Sequence, residues 1–185
     1  MCDVEKHFWP ILQKLLDGDE SIVLSDEETS RFIIYAIVQI ARTPRIFSVF
    51  EKSCPMYQNH KRFFLYKWLG ERVANLTRHQ DCFELSLIIN QTQLEFITGD
   101  IPLLNLSNRG HNPPHLDLFF PISPVKAVFF SENKRREIAF PSFKNPDRGT
   151  IDSLNRALCN NCMKMIFATR TTSLHQYMVH ETPHP

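Results

Sequence analysis

The spacing of apolar residues predicts two helices near the start of the chain. Residues 4–16 place apolar side chains three and four positions apart, the period of one helix face, and an Asp-Gly-Asp sequence follows them. Pro10 lies inside this pattern, so the first helix either kinks there or begins there. Ser25 and Glu28 have the spacing of a capping box, which opens a second helix over residues 31–41. This second helix is apolar on nearly every side, so we expect it to be central.

The pattern changes from helical to alternating after a third helix at residues 60–79. Alternation over residues 83–89 and an apolar run at 94–98 flank a polar turn, which predicts a β-hairpin. The other expected elements are strands at residues 102–106, 116–121, 125–130 and 138–140, a helix at 152–163 and a final strand at 165–169. The predicted fold class is α+β: about three N-terminal helices packed on an antiparallel or mixed sheet with one late helix.

Length and composition indicate one domain. The chain has 185 residues and is 43% hydrophobic, enough for one buried core. We expect a single domain over residues 1–185, with a helical half at 1–80, a mixed β half at 81–170 and a frayed tail at 171–185. No apolar run approaches the roughly 18 residues of a membrane span, and the acidic start lacks a secretion-signal pattern. We therefore expect a cytoplasmic protein with no membrane partner.

Charge is balanced overall but uneven along the chain. The formal net charge is +1, which excludes a strongly basic nucleic-acid coat. Residues 1–30 hold eight acids and two bases, whereas residues 31–80 hold nine bases and two acids. This asymmetry indicates either an interaction surface or an acidic helix lying against a basic region of the same fold. The basic 31–80 region supports a nucleic-acid partner only weakly.

The chain has five cysteines, and two of them have a spacing that is typical of metal sites. Cys159 and Cys162 form a Cys-x-x-Cys, half of a zinc ribbon, but no second pair completes the four ligands that a structural zinc needs. Their positions inside an amphipathic helix favour buried thiols instead. We expect no metal, no disulfide and no cofactor. With five glycines the chain also lacks the glycine-rich phosphate loops of the common nucleotide folds.

Three charged residues are candidates for a site. Asp100 follows the strand expected at residues 94–98, where a carboxylate is either catalytic or a turn-former bonded within residues 99–103. As a turn-former it should tolerate Asp100→Asn. Arg42 and Arg45 follow the second helix, where they either clamp a phosphate or carboxylate, or neutralise the helix dipole and pair with the acidic first helix.

Several short segments resemble the bacterial family catalogued as domain of unknown function 4238. The segments that carry the resemblance are residues 42–44, 96–102, 120–124, 154–157 and 165–169. Residues 96–102, Phe-Ile-Thr-Gly-Asp-Ile-Pro, are similar to the family's Phe-x-Thr-Ser-Asp-Asn-Pro, and Leu154-Asn155 is similar to its closing Leu-Asn helix. Gly99 stands where the family has Ser, and Ile101 where it has Asn. A His-Tyr-x-Pro region of the family is missing, as in a shortened member or a C-terminal part.

The resemblance implies a shared fold and a bacterial or phage context, without a settled activity. The candidate site is Asp100, Asn155, Arg42 and Arg45, with the cleft around Asp100 degraded by Gly99 and Ile101. Since no nucleophile or paired-carboxylate motif is present, the first hypothesis is an interaction or regulatory module that binds another protein. The alternative is an enzyme acting on nucleotides or nucleic acid, nuclease-like or toxin-like in phage defence, with Asp100 in the site.

Overall fold

Three helices lead the chain in the order that the hydrophobic pattern predicts. The computed structural model describes residues 3–43, 61–78, 83–106, 117–131 and 146–178. The helices are α1 (Asp3–Asp17), which continues through Pro10, α2 (Asp26–Ala41) and α3 (Lys61–Arg78). The capping box is confirmed: the Glu28 N–H donates to Ser25 Oγ over 3.2 Å, and the Ser25 N–H donates to Glu28 Oε2 over 2.7 Å.

In the second half of the chain, the described residues form two antiparallel sheets and two helices. The strands are β1 (Glu84–Ile89), β2 (Thr98–Gly99), β3 (Leu104–Asn105), β4 (Asp117–Pro121), β5 (Lys126–Ser131) and β6 (Ile166–Phe167). The larger sheet has the order β1-β5-β4-β3, and β2 pairs with β6 in the smaller one. The helices are α4 (Arg148–Asn161) and α5 (Thr171–Met178). The α+β class is confirmed, and the strand expected at residues 138–140 lies outside the described residues.

The hairpin expected from residues 83–98 does not form. β1 pairs with β5 instead, in a register that joins Leu85 to Phe130. The polar turn is present, because the Asn90 side chain accepts from the Thr92 N–H and donates to the Leu94 carbonyl. The segment after this turn leaves the sheet, and only β2 at its end pairs, with β6.

Both faces of the larger sheet are buried, and successive residues of β4 and β5 belong alternately to the cores on its two faces. One face packs against α1 and α2, and its core contains Phe8, Ile11, Leu15, Phe32, Ile33, Leu118, Phe120, Val128 and Phe130. The other face packs against α4, and its core contains Ile88, Phe96, Phe119, Phe129, Ile151, Leu154 and Leu158. Since side chains alternate between faces, two hydrophobic cores explain the unbroken apolar runs of β4 and β5.

The start of the expected tail is a helix. α5 follows β6 directly and lies against α4, so residues 171–178 are ordered by contacts that a local sequence pattern does not show. In the described parts of the chain, no helix is long and apolar enough to cross a membrane.

Lys126 joins the sheet to the first helix. Its Nζ donates to the carbonyls of Leu16, over 2.5 Å, and Gly18, over 2.6 Å, at the end of α1. Carbonyls at a helix C-terminus lack partners within the helix and carry partial negative charge. An ammonium group there donates the missing hydrogen bonds and offsets this charge.

We expect Lys126→Met to lower the free energy of unfolding by about 1–2 kcal/mol, because two carbonyls lose a charged donor. Urea denaturation measures the change. Lys164→Met is the matched control, since Lys164 is exposed and, among the described residues, its hydrogen bond is made by the backbone N–H, which the change leaves in place. Equal stability of the two variants would contradict this role of Lys126.

Candidate functional site

Asp100 holds two loops together. Its Oδ1 accepts from the Met163 N–H over 3.1 Å and its Oδ2 from the Lys164 N–H over 2.9 Å. The Asp100 N–H donates to the Met165 carbonyl over 3.1 Å. The expected bonds within residues 99–103 are therefore replaced by bonds to the loop before β6. Both carboxylate oxygens thus accept hydrogen bonds from backbone N–H groups.

We expect Asp100→Asn to cost about 1 kcal/mol, because the amide presents an N–H where an oxygen now accepts a backbone N–H. Thermal denaturation measures this loss. Asp17→Asn, an exposed change at the end of α1, should change stability by less than about 0.5 kcal/mol. Full stability of Asp100→Asn would show that one backbone bond is enough to hold the loop.

Asn155 is fully buried and pairs with an extended segment. Its Oδ1 accepts from the Ile97 N–H over 3.2 Å, and its Nδ2 donates to the Glu95 carbonyl over 2.9 Å. Nδ2 also lies 3.1 Å from the hydroxyl of Tyr177. The side-chain amide thus replaces a neighbouring strand for residues 95–97. This position explains why a polar residue lies on the buried face of α4.

Arg42 makes its contacts at the end of α2 and not in this network. Arg42 caps the C-terminal end of α2 and pairs with Glu5 of α1 over 2.7 Å, which corresponds to the dipole-neutralising alternative. Arg45 lies outside the described residues. No hydrogen bond or ion pair joins Asp100, Asn155 and Arg42 to one another in the described segments.

Glu95 is a buried acid that the sequence did not single out. It is 6% exposed, and its carboxylate accepts from the Thr169 hydroxyl and, over 2.9 Å, from the Arg170 N–H. These groups precede the first residue of α5, so Glu95 caps this helix from a distant part of the chain. Burial alone would raise the pKa of Glu95, but hydrogen bonds from Thr169, Arg170 and Ser173 outweigh it and lower the pKa.

The other end of α5 is fixed by Tyr177. Its hydroxyl donates to Asp152 Oδ1 over 3.0 Å and accepts from Asn155. Gln176 donates to the same Asp152 oxygen over 3.0 Å. Burial and the neighbouring Asp152 carboxylate raise the pKa of Tyr177 to about 12, so the phenol stays protonated and donates. Contacts at both ends therefore hold α5 against α4.

A polar cleft lies between the start of α4 and the start of α5. It encloses about 180 Å³ and is lined by Gln93, Leu94, Arg148, Arg170, Thr172, Ser173 and Gln176. No acidic side chain is among these residues. Across the described residues, no hydrogen bond or salt bridge occupies the guanidinium group of Arg148 or Arg170. The lining therefore combines two guanidinium groups with hydroxyl and amide side chains, a composition that suits an anion. Some of these groups also serve within the protein: Arg170 is attracted to the Glu95 carboxylate, the Ser173 hydroxyl donates to Glu95, and the Gln176 amide donates to Asp152.

The sequence offered one signal for this cleft. Arg148 is the first residue of α4, where a cation opposes the helix dipole, and neither α4 nor α5 has an acid in its first turn. The helix predicted over residues 152–163 does not include Arg148. The actual helix begins earlier, with Asp147 as N-cap, its carboxylate accepting from the Thr150 N–H over 2.7 Å.

The Cys-x-x-Cys lies at the end of α4, and both thiols are free and half-buried. Burial raises the pKa of Cys159 to about 11, and burial also raises the pKa of Cys162. A Cβ at Gly99 would lie 2.2 Å from Cys162 Sγ, so a larger residue at position 99 fits only if Cys162 moves. In the portions of the chain that the structure describes, no three metal-ligating side chains come together.

Comparison with known proteins gives one match. The sequence profile of the family described as "Protein of unknown function (DUF4238)" matches residues 56–172. No curated protein and no solved structure matches the chain significantly. The matched range includes Glu95, Asp100, Asn155 and both arginines of the cleft, and it covers more than half of the sequence. The chain therefore belongs to the DUF4238 family.

Proposed function

We propose that this protein is an interaction module, which binds an anionic group of a partner protein in the cleft of Arg148 and Arg170. The observation that carries the proposal is the lining of this cleft, where two guanidinium groups lie beside neutral side chains and, among the described residues, no hydrogen bond or salt bridge occupies either guanidinium group. Guanidinium groups match planar and tetrahedral oxyanions through paired hydrogen bonds.

The contacts of the sequence-derived candidates support binding over catalysis. Both oxygens of Asp100 accept backbone N–H groups, and the Asn155 amide is bonded on both sides. A general base needs an oxygen within reach of a substrate proton. The cleft, in turn, is lined by no acid, histidine or cysteine that could act as base or nucleophile.

We also propose a bacterial or phage source and a cytoplasmic location for this protein. The resemblance to a bacterial family supports the source.

Nuclear magnetic resonance of the ¹⁵N-labelled protein tests the binding. Inorganic phosphate, sulfate and acetate are titrated separately, and the amide signals of Thr172 and Ser173 are followed. We expect saturable shifts with at least one anion. The double variant Arg148→Gln/Arg170→Gln should bind about tenfold more weakly or worse, since each lost charged hydrogen bond is worth about 1.5–3 kcal/mol.

Arg78→Gln is the matched control, because Arg78 is exposed at the end of α3 and its loss removes the same charge. Equal binding by the double variant, or no saturable shift with any anion, would refute the site. Turnover of a nucleotide or nucleic acid that Asp100→Asn abolishes would instead favour the enzyme alternative.

A further inference from the structure

We infer that the group bound in this cleft is a phosphate monoester, carried by a phosphorylated serine or threonine side chain of the partner. This inference rests on the proposed function and narrows it to one chemical class. Three properties of the cleft support it. The first is the charge of its lining, the second is its hydrogen-bond donors, and the third is its small size combined with a lining without aromatic side chains.

Charge favours a dianion. Arg148 and Arg170 both line the cleft, and no carboxylate does. The buried Glu95 carboxylate is not part of this lining but attracts Arg170 electrostatically, and its oxygens accept from Thr169, the Arg170 N–H and Ser173. A phosphate monoester carries a charge of about −1.5 to −2 at neutral pH, whereas a carboxylate or a phosphodiester carries −1. Two cations therefore match the monoester better than either monoanion.

The donors match three terminal oxygens. Besides the two guanidinium groups, the lining contains the hydroxyl of Thr172, the side-chain amide of Gln93 and that of Gln176, which also donates to Asp152. Thr172 belongs to the first turn of α5. Donors from three chain segments surround a tetrahedral group more completely than they would surround a planar carboxylate.

Size and composition separate a phosphorylated side chain from a nucleotide. The cleft encloses about 180 Å³, and Leu94 is the single apolar residue in its lining. No aromatic ring lines it, so a nucleobase finds no surface to stack on. A serine or threonine phosphate needs no such surface, because its peptide continues over the outside of the protein.

Isothermal titration with four defined probes tests the inference. The probes are a phosphoserine peptide, its unphosphorylated form, dimethyl phosphate and adenosine monophosphate. We expect the phosphoserine peptide to bind at least about tenfold more tightly than dimethyl phosphate or the unphosphorylated peptide, and no more weakly than the nucleotide. Arg148→Gln and Arg170→Gln should each weaken peptide binding about tenfold, while Arg78→Gln should not.

The outcomes separate this inference from the broader proposal. Equal binding of dimethyl phosphate, or of acetate, would overturn the monoester and leave an anion site in place. Tighter binding of adenosine monophosphate than of the phosphoserine peptide would overturn the inference that a protein carries the bound phosphate. If no anion binds and the arginine variants match wild type, both the inference and the proposed function fail.

Discussion

Asn155→Ala is expected to destabilise the protein more than any other single change considered above. The substitution removes the acceptor of the Ile97 N–H and the donor to the Glu95 carbonyl, and it leaves both backbone groups buried without a partner. A buried unsatisfied polar group costs about 1–3 kcal/mol, so we expect a loss of about 3 kcal/mol or more. Because one kcal/mol shifts the Tm of a domain this size by about 2–4 °C, the Tm should fall by about 10 °C.

Asn160→Ala is the matched control on the same helix, since Asn160 is exposed and one turn further along α4. Its stability should stay within about 0.5 kcal/mol of wild type. Hydrogen exchange adds a local measurement: the Ile97 amide should exchange much faster in Asn155→Ala. A variant that keeps both its Tm and the protection of this amide would show that the extended segment does not depend on Asn155.

Glu95→Gln is expected to release the start of α5 and to lower the free energy of unfolding by about 2 kcal/mol. The carboxylate accepts from Thr169 and the Arg170 N–H, and the amide of glutamine replaces one acceptor with a donor. Hydrogen bonds to charged groups contribute about 1.5–3 kcal/mol each, and the variant keeps part of them. We also expect weaker anion binding in the cleft, because Arg170, Thr172 and Ser173 lie at the same helix start.

The effect of Glu95 depends on pH with a defined sign. Its pKa in the folded protein is lowered relative to the ordinary value of about 4.5, so the folded state binds protons less readily than the unfolded state. The stabilisation by the carboxylate is complete above the ordinary pKa and is lost as the pH falls through the lowered one. Wild type should therefore lose its advantage over Glu95→Gln on acidification below about pH 4.5.

The difference between wild type and variant must be measured, since other acids contribute to the same acid transition. The pKa values of Asp19, Glu28, Asp147 and Asp152 are also lowered by their hydrogen bonds. Urea denaturation from pH 3 to pH 7 provides this difference, and Glu71→Gln, an exposed change on α3, provides the control. A difference that is independent of pH would contradict the charged cap.

Local signals in the sequence predicted most of the described elements, with the helix at residues 171–178 as an exception, but they did not predict which strands pair. The alternation over residues 83–89 marked β1 correctly, and the Asn90 turn after it is present. The hairpin nevertheless failed, because period-two spacing shows which face of a strand is apolar and not which strand lies beside it. β5, the true neighbour, begins only at Lys126, and the backbone of the segment after the turn bonds instead to Asn155 and to the Pro124 carbonyl.

The same limit applies to the site. Asp100 was identified because a loop carboxylate after a strand is a local feature. Glu95 has its partners 74 and 75 residues later, so nothing beside it in the sequence indicated a helix cap. The cleft is more distributed still, because Gln93, Arg148 and Arg170 come from three separate segments that meet only when α5 packs on α4.

The sheet that is buried on both faces has a consequence for how this protein can change during evolution. Along β5, Val128 and Phe130 belong to the core under α1 and α2, whereas Phe129 belongs to the core under α4. Substitutions that enlarge or reduce a side chain can therefore be compensated within one core, without repacking the other. Insertion or deletion of a single residue has no such remedy, because it exchanges the two faces and puts every following side chain into the wrong core. Homologous strands should therefore differ in side-chain volume while keeping their length constant.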